Sequence, residues 1–252
     1  MEYFLSLPKD CLSEIFSLTS PKDAGRSSLV SRGFKSIAES DVVWENFLPC
    51  DYQQIINISE SFLVYSSKKE LYFSLCKSPI LLDGNKLSFS LDNKTGKKCF
   101  MVAPKQLAFS WDPTSRYWGL SYYPESRFSE VAYFPGFRWL DIQGKIASQM
   151  LSKQTAYTVY LVFKLAPDAF DGLEIGTSVV RFVNREAEER RKARRIGLLN
   201  AQRRDDEWME IEMGKFFNDA GEDGDVEALL MEIRRRFGIG SLLVQGVEFR
   251  PE

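Results

Sequence analysis

The residue types that most often do chemistry are unevenly supplied in this chain of 252 residues. It contains no histidine, which removes Ser-His-Asp and Cys-His nucleophilic sites, imidazole-ligated zinc and any histidine general base. The four cysteines, Cys11, Cys50, Cys76 and Cys99, are too widely spaced for CxxC ligand pairs and too few to staple a chain of this size. They are expected as reduced, packed thiols. Asp225 and Glu232 can in principle flank a glycosidic bond, but nothing in the sequence separates an acid from a nucleophile between them. Glu222, Asp223 and Asp225 form an acidic turn around Gly224. Setting Gly224 at the sixth position of an EF-hand loop puts Gly221 at the third and Leu230 at the twelfth, so the calcium template fails. Gly96-Lys97 lacks the upstream glycine of a phosphate loop, since residue 91 is Leu91. No catalytic residue, metal site or cofactor is expected, and the chain reads as a non-enzyme.

Two further groups point to recognition. Trp111 and Trp118 bracket Asp112-Pro113-Thr114-Ser115, a turn signal that can bring both to one rim of a β-structure, while Trp139 and Trp208 sit in regular strand patterns and are expected in the core. The run Arg190-Arg191-Lys192-Ala193-Arg194-Arg195 has the composition of a nuclear-import or nucleic-acid segment. No aromatic lies between Arg185 and Arg204 to stack a base. Residues 184–204 are therefore expected as an exposed, mobile loop, and nucleic acid is not expected as a partner. That stretch carries eight Arg or Lys against three Glu, and residues 205–232 carry eleven Asp or Glu against one Lys, so the two blocks can neutralise each other in space. Over the whole chain, 33 basic and 35 acidic residues give a net charge of -2, which selects neither nucleic acid nor an anionic membrane.

These groups need elements to hold them, and 44% apolar residues are enough to bury real cores. Residues 9–18 carry Leu12, Ile15 and Phe16 on one helical stripe behind Pro8. Ser20-Pro21 with Asp23 three residues on caps a second helix running to about residue 30. Phe34, Ile37 and Ala38 repeat at helical spacing, and Ser40-Asp41 opens a short helix bearing Trp44 and Phe47. So small a unit has a thin core and needs a partner or a neighbour. Residues 49–78 form a helical connector with a capping signal from Ser67 to Glu70. After Pro79 the period changes to that of strands: residues 87–91, 99–102, 107–111, 137–142, 156–165, 176–183, 207–217, 228–233 and 242–249, with an Asn93-Lys94-Thr95-Gly96 turn after the first. Many short strands with little helix argue for an antiparallel sandwich of the jelly-roll kind. The first residues lack the basic region and apolar core of a signal peptide, and no run approaches the roughly 18 apolar residues of a membrane span. An intracellular, soluble protein is expected.

The string Leu7-Pro8-Lys9-Asp10-Cys11-Leu12, followed by Leu18-Thr19-Ser20-Pro21-Lys22-Asp23-Ala24, Arg26-Ser27-Ser28-Leu29-Val30-Ser31 and Ser40-Asp41-Val42-Val43-Trp44, resembles the F-box of plant F-box lectins. Downstream, Tyr117-Trp118, Ser126-Arg127-Phe128-Ser129-Glu130-Val131-Ala132, Trp139-Leu140-Asp141-Ile142-Gln143-Gly144-Lys145-Ile146, Tyr160-Leu161-Val162-Phe163-Lys164-Leu165 and Gln245-Gly246-Val247-Glu248-Phe249-Arg250-Pro251 resemble the phloem-protein-2-like, or Nictaba-type, lectin domain. The resemblance implies a multidomain chain: an all-α F-box over residues 1–48, the connector over 49–78 and an all-β jelly-roll sandwich over 79–252. It implies a substrate-recognition subunit of a cullin-RING (SCF-type) ubiquitin ligase in cytoplasm and nucleus. The F-box would dock on a Skp-type adaptor through Leu5, Leu7, Pro8, Leu12, Ile15, Val30 and Trp44. The sandwich would bind an N-acetylglucosamine-containing or N-glycan target through Trp111, Trp118, Asp225 and Glu232. An indole face packs the apolar side of a pyranose and a carboxylate accepts from its hydroxyls. Asp225 stands where these lectins carry Glu, and Leu120 replaces a common aromatic. The alternative is a sandwich that makes protein contacts without sugar.

Overall fold

The computed structural model describes residues 7–111, 118–135, 139–165, 175–185, 193–221, 224–234 and 241–252; for Trp111 and Glu232 the description stops at the backbone. The chain divides into two compact units, Met1–Asp83 with Phe89–Lys98, and Gly84–Ser88 with Cys99–Glu252.

The first unit contains α1 (Lys9–Ser17), α2 (Pro21–Ser27), α3 (Arg32–Ala38), α4 (Asp41–Phe47), α5 (Tyr52–Asn57) and α6 (Lys68–Lys77). The starts follow the capping logic. Ser20 Oγ accepts from the Asp23 N–H at 3.1 Å and donates to its carboxylate at 2.8 Å, with Pro21 in the first turn. Ser31 caps α3 and Ser67 caps α6 in the same way. The second helix stops at Ser27, short of residue 30, and α5 was not expected, because Asp51 makes no side-chain cap bond to announce it. Leu12, Phe16, Val43, Trp44 and Phe47 fill the interior together with Leu71, Tyr72 and Leu75 of α6. The Trp44 indole N–H donates to the Ala38 carbonyl at 2.6 Å, and its ring meets Phe47, Tyr72 and Phe73 at 5.5, 5.3 and 5.2 Å. The neighbour that the thin core required is thus the connector: α6 completes it, and the Asp41 carboxylate accepts the Lys68 N–H at 2.8 Å in the first turn of that helix. The Asn93–Gly96 turn seats on the same unit. Gly96 has φ +69°, and a Cβ there would stand 2.8 Å from the Phe47 carbonyl oxygen, so only glycine fits.

Strands follow from β1 (Ile80–Leu82), β2 (Leu87–Leu91), β3 (Lys98–Val102), β4 (Ala108–Trp111), β5 (Gly119–Tyr122), β6 (Glu130–Phe134) and β7 (Trp139–Ala147). The rest are β8 (Thr155–Leu165), β9 (Ile175–Phe182), β10 (Arg194–Gly197), β11 (Gln202–Arg203), β12 (Met209–Asn218), β13 (Asp225–Arg234) and β14 (Leu242–Pro251). In the second unit one sheet runs β3-β14-β8-β12-β11, with β6 also on β14 and β5 on β6; the other runs β10-β9-β13-β7-β4. The pairings are antiparallel, and from β7 to β14 the chain keeps exchanging sheets, the habit of a jelly roll. Alternate residues face inward, as in β7, where Leu140, Ile142 and Ile146 are buried between half-exposed neighbours. Val159, Leu161 and Phe163 of β8 are buried as well, and Tyr157 stacks on Phe216 at 5.6 Å. A Cβ on Gly144 would stand 3.0 Å from Val247, so that glycine lets the two sheets close up.

Three expectations change. Of residues 137–142, the described ones, from Trp139 on, belong to a longer strand ending at Ala147. β1, β5, β6, β10 and β11 escaped notice; β5 is exposed along its whole length, leaving no alternation to read. Residues 184–204 are not one mobile loop: Arg194–Gly197 is a strand paired with β9, its Ile196 buried and its Arg194 bonded to Glu212 at 2.6 Å. Arg190, Arg191 and Lys192 lie outside the described residues. The basic and acidic blocks do meet, through Arg194–Glu212 and through Arg204, 3.0 Å from Glu210. Trp208 is in the core as expected, whereas Trp139 is only half-buried.

Candidate functional site

Two regions carry the groups singled out in the sequence. In the helical unit, Leu7 (40% exposed), Pro8, Ile15 (37%) and Val30 (53%) stand in solvent. Leu12 and Trp44 do not: both are buried, so they hold the helices together and cannot also be a docking face in this conformation. Leu5 lies outside the described residues. Sequence reasoning missed Leu18 (82%) and Leu29 (86%). Leu18 follows Ile15 by three residues, on the helical row flanking the buried Leu12 and Phe16, and that spacing was the available signal.

In the sandwich, β4 pairs with β7 so that Trp111 opposes Leu140, and β13 pairs with β7 so that Ile233 also opposes Leu140. The backbones of Trp111 and Glu232 therefore lie at one end of this sheet. Trp118 belongs to the same end, its indole packed on Phe109 at 5.1 Å and stacked on Phe134 at 5.9 Å with 17° between the planes. Asp225 opposes Ala147, at the far end of β7. Seven residues along one strand separate it from Glu232, roughly 20 Å at the rise of a β-strand. Asp225 is thus not brought together with the tryptophans.

A heavily charged place in the sandwich was invisible to motif reading. Glu248, nearly inaccessible on β14, accepts from Arg127 at 2.9 Å, Arg204 at 2.7 Å and Arg250 at 2.6 Å, while Glu210 binds Arg204 at 3.0 Å and Arg250 at 2.6 Å. Burial alone pushes the Glu248 carboxyl up; Arg127, Arg204 and Arg250 outweigh it and hold the pKa at about 2. The Arg250 guanidinium lies 4.3 Å from the Tyr160 ring centroid. Burial raises the pKa of that tyrosine. On the other sheet, buried Glu227 takes Arg181 at 2.6 Å, Gln143 at 2.6 Å and Lys145 at 3.5 Å. In these ion clusters each carboxylate is held by two or three cations. Among the described residues no cluster of three or more His, Cys, Asp or Glu is placed to hold a metal ion. No helix among them is long and apolar enough to cross a membrane.

Comparison with known proteins agrees with this division. The F-box domain model matches residues 4–46 and the phloem protein 2 model matches residues 97–251. F-box protein PP2-B10 of Arabidopsis thaliana is 38% identical over 98% of this chain and 94% of its own length. F-box protein PP2-B7 of the same plant is 36% identical over 97% of this chain and 83% of its own. Among solved structures, that of TmCBM61 in complex with beta-1,4-galactotriose covers 60% of this chain and 91% of its own, with a TM-score of 0.35 and 11% identity. With a relative at this identity over nearly its whole length and a family model on more than half of it, the chain belongs to the family of F-box proteins that carry a phloem protein 2 domain.

Proposed function

We propose that this protein is the substrate-recognition subunit of an SCF-type cullin-RING ubiquitin ligase, working by binding and without catalysis of its own, in cytoplasm and nucleus. The observation that carries the reading is the union in one chain of an F-box over residues 4–46 and a phloem protein 2 domain over residues 97–251. The first is the docking end. Leu7, Pro8, Ile15, Leu18, Leu29 and Val30 are apolar and exposed, and burying such side chains against an adaptor groove releases water at about 25 cal/mol per Å². The Skp-type adaptor then links the chain to the cullin.

The second is the capture end, reading an N-acetylglucosamine-containing or N-glycan target around Trp118, with Trp111 and Glu232 at the same end of the sheet. Trp118 is half-exposed with its ring stacked on Phe134, and an indole is the group that packs the apolar side of a pyranose. Asp225, at the opposite end, drops out of this set. The packing of Trp118 on Phe109 and Phe134 favours, as the second reading, a sandwich that makes protein contacts alone.

Affinity purification of the tagged protein, with and without N-acetylglucosamine oligomers, tests both ends. Adaptor and cullin should copurify in either condition, and glycoprotein targets should be displaced by the sugar. Absence of adaptor and cullin overturns the ligase reading; targets that resist the sugar turn the capture end to the second reading.

A further inference from the structure

The two sheets end on one side in the strands β10 and β11, both at the edge of their sheets. Between them runs a groove of about 310 Å³, lined by Tyr160, Arg194, Asn200, Gln202, Glu210 and Glu212. Glu210 is shared with a second hollow of about 400 Å³ along Arg203–Asp206 and Arg250, so the two form one polar trough beside the edge of the sandwich. In its sheet β10 lies four strand positions from β4 and Trp111, roughly 19 Å at the usual spacing between strands. The trough is therefore a different place from the end occupied by Trp118.

Its chemistry is decided by which groups are already spent. Arg194 is bonded to Glu212 at 2.6 Å, and Glu210 to Arg204 at 3.0 Å and Arg250 at 2.6 Å. These charges cancel within the protein and hold the walls in place. The Tyr160 hydroxyl and the Asn200 and Gln202 amides have no hydrogen-bond partner among the described residues, and both amide side chains are exposed. Beside Arg195 and Asp205, one charge of each sign with no ion-pair partner among the described residues, the trough offers a ligand a phenol and two planar amides, each able to donate and to accept. Most of the charges that a charged ligand would face are already paired. An extended peptide needs pockets for its alternate side chains, but the apolar members of the lining, Ile196 and Ile211, are buried and leave none open. A chain of vicinal hydroxyls suits the arrangement, because one amide can accept from one hydroxyl and donate to the next.

We propose that this trough is a second saccharide site, taking a short neutral oligosaccharide across Tyr160, Asn200 and Gln202. The proposal rests on the capture end being a glycan reader and adds the place on that reader where an extended chain would lie. The test is saturation-transfer NMR and titration of the full chain with N-acetylglucosamine, xylose, mannose and galactose oligomers. Four proteins are compared: wild type, the Asn200→Ala/Gln202→Ala double variant, Tyr160→Phe and Trp118→Ala. Because Asn200 and Gln202 are exposed and unpartnered, their variant should keep the wild-type melting temperature. With an oligomer of three or more units, the double variant should lose about tenfold in affinity and Tyr160→Phe a few-fold. Trp118→Ala should still show saturation transfer from the trough, and the double variant only the weaker transfer of the Trp118 end. Full affinity in the double variant, with loss confined to Trp118→Ala, overturns the proposal and leaves the glycan reader standing. No response of the wild-type chain to any oligomer removes the glycan reader itself, and the trough with it.

Discussion

In the helical unit Leu18, Leu29, Phe62 and Val64 stand almost wholly in solvent, whereas in the sandwich Glu248 and Glu227 are almost wholly out of it. The helical unit closes its small core with aromatic packing around Trp44 and still has apolar side chains to spare; the sandwich has core enough to bury charge. The difference teaches how each half is completed. Apolar surplus is relieved by a partner from outside the chain, while a buried carboxylate must find its arginines inside it. On the proposed reading, one unit is finished by association and the other by folding.

That contrast can be broken most severely at Glu248. Glu248→Gln removes the charge that Arg127, Arg204 and Arg250 share and should cost about 3–5 kcal/mol in denaturant unfolding of the full chain. A loss within 0.5 kcal/mol, the size usual for surface changes, would show that Glu210 alone suffices to hold Arg204 and Arg250.

In the helical unit the Leu7→Asp, Ile15→Asp double change should do the opposite: leave the melting temperature nearly unchanged, both positions being exposed, and abolish copurification with the adaptor and cullin. Two carboxylates in a dry groove cost several kcal/mol or more, since an unpaired carboxylate is costlier to desolvate than a neutral polar group. Wild-type recovery of the complex would place the docking face elsewhere.

Acid should separate the units by a smaller effect. The folded-state pKa of Glu248 is depressed to about 2, so its contribution is fully present above the ordinary carboxylate pKa and is lost as pH falls from that range through about 2. The loss approaches about 3 kcal/mol. Unfolding followed by Trp fluorescence at pH 7 and pH 3 should show this pH-dependent loss in wild type and a much weaker one in Glu248→Gln. Equal slopes would assign acid sensitivity to other carboxylates.

The smallest expected effects lie at the glycan face. Trp118→Ala should weaken binding of N-acetylglucosamine oligomers by about 1–1.5 kcal/mol, roughly tenfold, whereas Asp225→Ala should change it by less than a factor of about two. Calorimetry on both variants checks this, and a large effect at Asp225 would contradict the separation that its pairing with Ala147 imposes.

How much of this was legible in the residues varies with how local the cause is. The helix starts at Ser20, Ser31 and Ser67 could be read because cap and capped N–H lie three residues apart. Strands β8, β12 and β14 could be read because each is long and buried on at least one face. β5, β10 and β11 could not, since their burial does not alternate from residue to residue. The tryptophan pair looked like one site from its spacing. Its carboxylate partners looked equivalent too, until pairing with β7 placed one at each end of β13.

The sequence by itself determined the two-part plan, the helical caps, the change of period after Pro79 and the absence of histidine chemistry, all of which depend on residue type and near neighbours. Only the tertiary structure decided that α6 finishes the core around Trp44, that Arg127 and Arg204 converge on Glu248, and that β10 and β11 flank a trough. Arg127 and Glu248 are 121 positions apart, and no periodicity reaches that far. Their pairing is set by which strands the sheets place side by side, and that is a property of the folded chain.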